Sequence, residues 1–307
     1  MGENLQIHKS KFLELKVFLT RIGFTFENRP YQVFLARYPG IVVNLYQNGK
    51  IVLAGNDKFI KSEIEAFIES IGGFNPSNDD KRFFRKFKGM TRIGSDEVGK
   101  GDYFGPLVIA GVLIDKYSEK DLQIIKVRDS KKLNDRSISK MSKKIRIKLG
   151  NSRYEILSIT PRKYNKLYKK LKNLNKILGW AHSRVIENLL TKEECNLAVV
   201  DKFGDPKFVN SALMEKGVTI QLIQQPRAEQ DIAVAAASIL AREVFLEKHK
   251  EMGIAYGLEF PKGSSQVTEF LTDFVNKQGF NNLKNVAKIH FKITDQFKKK
   301  VGISERK

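Results

Sequence analysis

One cysteine, Cys195, stands in 307 residues. A lone thiol excludes an internal disulfide framework and a multi-cysteine zinc site; it fits a reducing cytoplasm, where free cysteine usually serves as a small buried hydrophobe. Long apolar runs are missing too. No window approaches the roughly 20 apolar residues that a membrane span needs, and the start, MGENLQIHKSKF, has no basic segment followed by an apolar stretch. The expectation is a soluble cytoplasmic protein with no membrane partner. Acids are scarce beside bases, 34 Asp plus Glu against 55 Lys plus Arg, for a net charge of +21. Such a field favours a polyanionic partner, although a merely solubilising surface would give the same composition. The length allows one large domain or two smaller ones, and no internal repeat stands out.

What is present begins with a small α+β module. Lys9 to Gly23 places Phe12, Leu13, Val17, Phe18, Leu19 and Ile22 near a helical period. Gln32 to Arg37 and Ile41 to Tyr46 are rich in strand formers. Asn48-Gly49 then supplies a two-residue hairpin turn before Ile51 to Ala54. Asn56 or Asp57 can cap a second helix, Lys58 to Ser70. The module closes near Gly73, which sets a first domain at 1–75. Residues 76–90 mix turn formers with a basic, aromatic run and read as a linker, whose Phe83, Phe84 or Phe87 could stack on bases.

The second domain, 91–307, alternates apolar strands with helices. Strands are expected at Arg92 to Glu97, Pro106 to Ile114, Tyr154 to Thr160, Asn196 to Val200 and Val218 to Ile223. Helices are expected in Asp115 to Leu149, in the basic segments up to Leu190, over Asp231 to Lys248, and as one or two more between Gln266 and Phe297. Strands flanked by helices imply a layered α/β domain.

Its opening stretch, GSDEVGKGD from Gly94 to Asp102, nearly spells the P-loop, G-x-x-x-x-G-K followed by Ser or Thr. Gly101 stands where the metal-binding hydroxyl should be, two acids sit where phosphate should approach, and an apolar strand follows instead of a helix. A plain glycine-rich turn would explain the glycines through their tolerance of positive φ. It would not explain why so basic a chain puts a further acid, Asp201, at the end of an apolar strand, or Glu229 and Asp231 just before a helix. Carboxylates brought together there suit hard divalent cations, which take oxygen ligands, and two such ions can drive phosphodiester hydrolysis. Adjacent Asp96 and Glu97 point to opposite faces of a regular strand, so both join one site only where the strand ends or distorts.

The run Gly94 to Pro106, with Asp129-Ser130-Lys131-Lys132-Leu133 and Ala235 to Ala241, resembles the type 2 ribonuclease H group, in particular bacterial ribonuclease HIII. The likeness is dense in motifs from about Thr91 to Glu247. It implies an RNase H-like catalytic domain, a mixed sheet flanked by helices, behind a small N-terminal domain resembling the TATA-binding protein that helps hold substrate. It also implies Mg2+ or Mn2+ dependence, endonucleolytic cleavage of the RNA strand of an RNA/DNA hybrid, and a monomer. Carried over by position, Asp96, Glu97 and Asp201 become metal ligands. The fourth catalytic acid is Asp231 or Glu229: Arg227-Ala228-Glu229 resembles the family's acid, Asp231 can equally cap the helix that follows, and Asp205 is a weaker candidate. Gly99, Lys100, Gly101, Lys131 and Lys132 become substrate contacts, with Lys163 and Lys166 on a Lys-rich surface that holds backbone. Lys100 stands where ribonuclease HII enzymes usually carry Arg, which favours substrates with several ribonucleotides over incision at a single one. A nucleic-acid-binding protein without catalysis shares the charge but gains nothing from clustered carboxylates. His182, His249 and His290 show no metal-ligand spacing and read as structural or surface residues.

Overall fold

Alternation builds the first sheet. In Ile41–Tyr46 and Lys50–Gly55 every second residue is apolar and buried (Ile41, Val43, Leu45, Ile51, Leu53), so one face of each strand must be covered. The computed structural model describes residues 3–74, 83–127, 130, 133–213, 217, 219–264 and 267–302. It divides into two units, Met1–Lys86 and Phe87–Lys307.

In chain order the first unit holds β1 (Glu3–Gln6), α1 (Phe12–Arg21), β2 (Thr25–Glu27), β3 (Gln32–Tyr38), β4 (Ile41–Tyr46), β5 (Lys50–Gly55) and α2 (Lys58–Ser70). The strands form an antiparallel sheet in the order β1-β5-β4-β3-β2. Leu15 and Leu19 of α1 and Ile64 and Ile68 of α2 pack against its apolar face, and Asp57 caps α2 through the N–H groups of Phe59 and Ile60. Two strands escape the sequence reading: β1 and β2 are only four and three residues long, too short to show a period. The hairpin differs as well. Since β4 ends at Tyr46 and β5 starts at Lys50, the Asn48-Gly49 turn is three residues long, closed by the Gly49 N–H on the Tyr46 carbonyl at 2.9 Å.

The division between units falls inside the 76–90 segment. Much of that segment lies outside the described residues. Phe84 and Phe87 are buried, so they are not offered to bases.

The second unit continues with β6 (Arg92–Val98), β7 (Leu107–Ile114), α3 (Lys116–Ile124), α4 (Asp135–Leu149), β8 (Tyr154–Ile159), α5 (Pro161–Leu171), α6 (Leu174–Leu190), β9 (Leu197–Asp201), α7 (Lys207–Asn210), β10 (Gln221–Gln225), α8 (Ile232–Tyr256), α9 (Thr268–Gln278), α10 (Leu283–Val286) and α11 (Lys292–Lys300). Its sheet runs β10-β9-β6-β7-β8 and is mixed: β7 is antiparallel to β6 and β8, while β9 is parallel to β6 and β10. Strand β7, LVIAGVLI, is buried throughout because both faces are covered, which is why it reads as an unbroken apolar run. Helix α6 packs on one face, where Ile93, Ala198 and Val200 meet Leu178, Val185 and Leu189. Helices α8 and α4 cover the other, where Val108, Ala110 and Val112 meet Ala233, Ala237 and Ile145. The α8 helix runs so close to β6 that a Cβ on Gly94 would strike the backbone of Ala233 and Val234.

The polar stretch between β7 and β8 resolves into two helices, each started by a side-chain cap, Asp115 for α3 and Asn134 for α4. The C-terminal stretch makes three helical segments, which enclose Tyr103 and Phe104 from the loop after β6.

Candidate active site

Parallel pairing sets the site. Ile93, Gly94 and Ser95 of β6 face Ala198, Val199 and Val200 of β9, so the next pair along is Asp96 beside Asp201. Both carboxylates lie at one end of the central strands, and strand periodicity puts them on the α8 face. Ser238 of α8 donates a hydrogen bond to Asp96, and Ser130, from the second motif, lies 2.8 Å from the Ser238 hydroxyl. Glu97 takes the opposite face, as its neighbouring position demands. Its Oε2 accepts from His182 Nε2 at 3.3 Å on α6, and its Oε1 sits 3.4 Å from the Lys100 ammonium. Strand β6 closes one residue later at Val98, and Gly99 turns the chain at φ +95°. Asp96 and Glu97 therefore flank the last turn of the strand and can meet only over its end. Among the described residues no three His, Cys, Asp or Glu side chains are already gathered to hold a metal ion.

Electrostatics separate the two acids. Burial, then the charge on Glu97 and a smaller contribution from Asp201, pushes the Asp96 carboxyl up to about 7, against the hydrogen bonds from Ser238 and the Glu97 N–H. For Glu97 burial also acts upward, but the hydrogen bond and charge of His182, followed by Lys100, outweigh it and hold this carboxyl below its ordinary value. Crowded oxygens with one proton held back form a hard donor set short of positive charge, which fits a divalent cation.

Asp201 Oδ1 accepts the Ala228 N–H at 3.1 Å. That bond ties the turn Ala228–Gln230, which carries Glu229, to the edge of the acidic cluster. Asp231 goes elsewhere. Its Oδ1 caps α8 through the N–H groups of Ala233 and Val234, and its Oδ2 accepts from Arg92 Nε at 2.7 Å. Arg92 lies four residues before Asp96, about 13 Å back along the strand at ~3.3 Å per residue. Both Asp231 oxygens are thus engaged beside a buried Arg92 that also pairs with Glu119 at 3.1 Å. Asp205 is exposed and engaged with the N–H and ammonium of Lys207.

The glycine turn has an inner and an outer side. A Cβ on Gly99 would collide with the Pro106 carbonyl, and its φ is positive, so packing alone requires glycine there. Nothing lies within 4 Å of a Cβ built on Gly101, which is exposed. The outer side is open to a ligand. Behind the turn the buried Lys288 ammonium donates to the carbonyls of Asp102 and Gly105, both at 2.8 Å. Lys131 and Lys132 lie outside the described residues.

The sequence reads His182 as a structural or surface residue and does not single out Phe203. His182 is fully buried; its Nδ1 is 2.8 Å from Ser95 Oγ, and its ring stacks on Phe203 with centroids 5.2 Å apart. One signal was available: helical spacing puts His182 on the same buried face as Leu178 and Val185, where a polar side chain needs a partner.

Comparison with known proteins identifies the family. A family model described as Ribonuclease HII matches residues 93–294. The Ribonuclease HIII of Protochlamydia amoebophila is 38% identical over 288 residues, 92% of each chain, and that of Chlamydia felis is 39% identical over 284 residues, 91% of each. The crystal structure of Bst-RNase HIII in complex with Mn2+ is 26% identical, with a TM-score of 0.65 over 100% of both chains. The chain belongs to the type 2 ribonuclease H family, on its ribonuclease HIII branch.

Proposed function

We propose that this protein is an endoribonuclease that cleaves the RNA strand of RNA/DNA hybrids by metal-dependent phosphodiester hydrolysis, acting as a cytoplasmic monomer. The observation that carries the reading is that Asp96, Glu97 and Asp201 share one strand end, where burial, then the charges of Glu97 and Asp201, pushes Asp96 up to about 7 in a chain of net charge +21. A protein that only binds phosphate would be hindered by such a cluster. Among the described residues no helix is long and apolar enough to cross a membrane.

Asp96, Glu97 and Asp201 would hold Mg2+ or Mn2+, with Glu229 as the fourth acid, since its turn is already tied to Asp201. When bound, the ions supply activation of the attacking water and stabilisation of the leaving oxygen. The chain's own groups do the rest. Ser238 orients Asp96 and His182 orients Glu97. Lys100, 39% exposed, can swing from Glu97 to a phosphate of the substrate. Gly101 leaves room for the ribose–phosphate chain, and a 2′-hydroxyl there distinguishes RNA from DNA.

Cleavage of a uniform hybrid labelled on each strand tests the reading. The RNA strand should be cut only with Mg2+ or Mn2+. Glu229→Gln should lower the rate by about 100-fold or more, whereas Asp231→Asn, which keeps a capping oxygen, should leave the catalytic step in place. Hybrid binding without cleavage in either metal would overturn the proposal. A duplex with one embedded ribonucleotide should be cut poorly, which separates this branch from ribonuclease HII behaviour.

A further inference from the structure

Helix α5 carries five basic residues, Arg162, Lys163, Lys166, Lys169 and Lys170, and no acid. Arg162, Lys166 and Lys169 are spaced i, i+4, i+7, so they share one face over roughly 10 Å of axis at ~1.5 Å per residue. All three are exposed. They form one wall of a groove of about 510 Å³, with Lys284 and Lys298 on the other wall and Asp295 as the acid among the lining residues. Some basic residues elsewhere in this unit are matched by acids: Arg146 with Glu243, Arg153 with Asp115 and Glu193, Lys192 with Glu155, and Arg242 and Lys262 with Asp135. Among the described residues, Arg162, Lys166, Lys169 and Lys284 have no such carboxylate partner.

The groove is built rather than incidental. The Asn165 carboxamide donates to the carbonyls of Lys284 and Ala287, at 3.0 and 2.8 Å, and accepts the Ile289 N–H at 3.1 Å, which fixes the two walls together. His290 stacks on Tyr168 with ring centroids 3.9 Å apart and closes the floor. Because these rings lie on each other, the groove offers charge rather than a stacking face for bases. Its place follows from the sheet. Leu107, the first residue of β7 after the glycine turn, pairs with Ile159 at the end of β8, and α5 starts two residues later. The groove therefore opens at the same end of the sheet as Asp96. The Phe104–Ala287 bridge joins its far wall to the loop that carries the glycine turn.

We propose that this groove is a second nucleic-acid contact, which holds the phosphodiester backbone of the hybrid to one side of the cleavage position without reading its sequence. The proposal rests on the ribonuclease reading. Three cations spread over about 10 Å cover roughly three phosphate steps of ~3.4 Å along one strand, so they suit an extended backbone better than a single phosphate ion.

The test compares two doubly substituted full-length proteins in an Asp96→Asn background, so that the hybrid stays intact: Lys166→Gln/Lys169→Gln in the groove, and Lys116→Gln/Lys120→Gln on α3, which starts at the opposite end of the sheet. All four lysines are exposed, and both proteins lose the same charge. Hybrid binding is measured from low to moderate salt. The groove variant should bind more weakly, with a slope of log affinity against log salt shallower by about 2, while the α3 variant keeps the parent slope. Equal slopes in the two variants would overturn the groove assignment. Cleavage by the wild-type chain is scored separately: a protein that binds and does not cleave would fail the ribonuclease reading, while the groove would still stand or fall on its slope.

Discussion

In the proposed site, Asp96 is the residue on which protons and metal would compete. Its carboxyl is raised to about 7 by burial and by the charges of Glu97 and Asp201. A raised acid means that the metal-free native protein holds a proton that the unfolded chain, titrating near 4, has released. Its contribution to stability is present below pH ~4 and is lost as pH climbs to about 7. Melting of the metal-free protein across that window should show the decline, and Asp96→Asn should flatten it. Divalent binding must expel the same proton, so metal affinity should rise with pH up to about 7 and calorimetry in buffers of different ionisation enthalpy should detect the release. Glu97 depends on His182. His182→Ala should lower metal affinity or activity by about 10–100-fold, the usual cost of losing a group that orients a ligand. A titration of activity against Mn2+ would reveal it, and unchanged curves would relegate His182 to packing.

Strand β6 and helix α8 work as a pair, with the register between them deciding which acids meet. Gly94 lets α8 approach, Asp231 anchors the helix start beside Arg92, and Ser238 arrives at Asp96 two turns later. Gly94→Ala should therefore cost about 1–3 kcal/mol by overpacking, visible as a fall of several degrees in Tm. Asp231→Ala removes a cap and leaves the buried Arg92 short of a partner, so it should destabilise by about 3–5 kcal/mol. The milder Asp231→Asn separates that structural loss from catalysis. Much of this was legible in the sequence. The apolar run of β7, the helical period of α8 and the dense motif from Gly94 placed the sheet, its cover and three of the acids. The partner of Asp231 was not legible, because Asp before a helix caps and ligates with the same atoms, and Arg92, from which its second oxygen accepts, is 139 residues away. The partners of His182 were hidden for a similar reason, since Ser95 and Glu97 come to it from another element. The short β1 and β2 follow from pairing with longer neighbours, which no local pattern records.

At the scale of the whole molecule the proposed function gives the excess of positive charge and the acidic strand end opposite tasks, one to gather a polyanion and the other to concentrate cations at a single point on it. Phosphate contacts carry no sequence information, so hybrids of different sequence should bind alike and all should weaken as salt rises. The lysines and arginine of α5 extend that attraction along the edge beside the site; the acids define where the chain is cut. The most direct test is single-turnover cleavage of a uniform RNA/DNA hybrid at saturating protein, with hybrid binding measured on the same samples, for the wild type, Asp96→Asn and Asp201→Asn. The account predicts that both variants bind the hybrid as well as the wild type and cleave its RNA strand at least about 100-fold more slowly. Cleavage by either variant at the wild-type rate would contradict it.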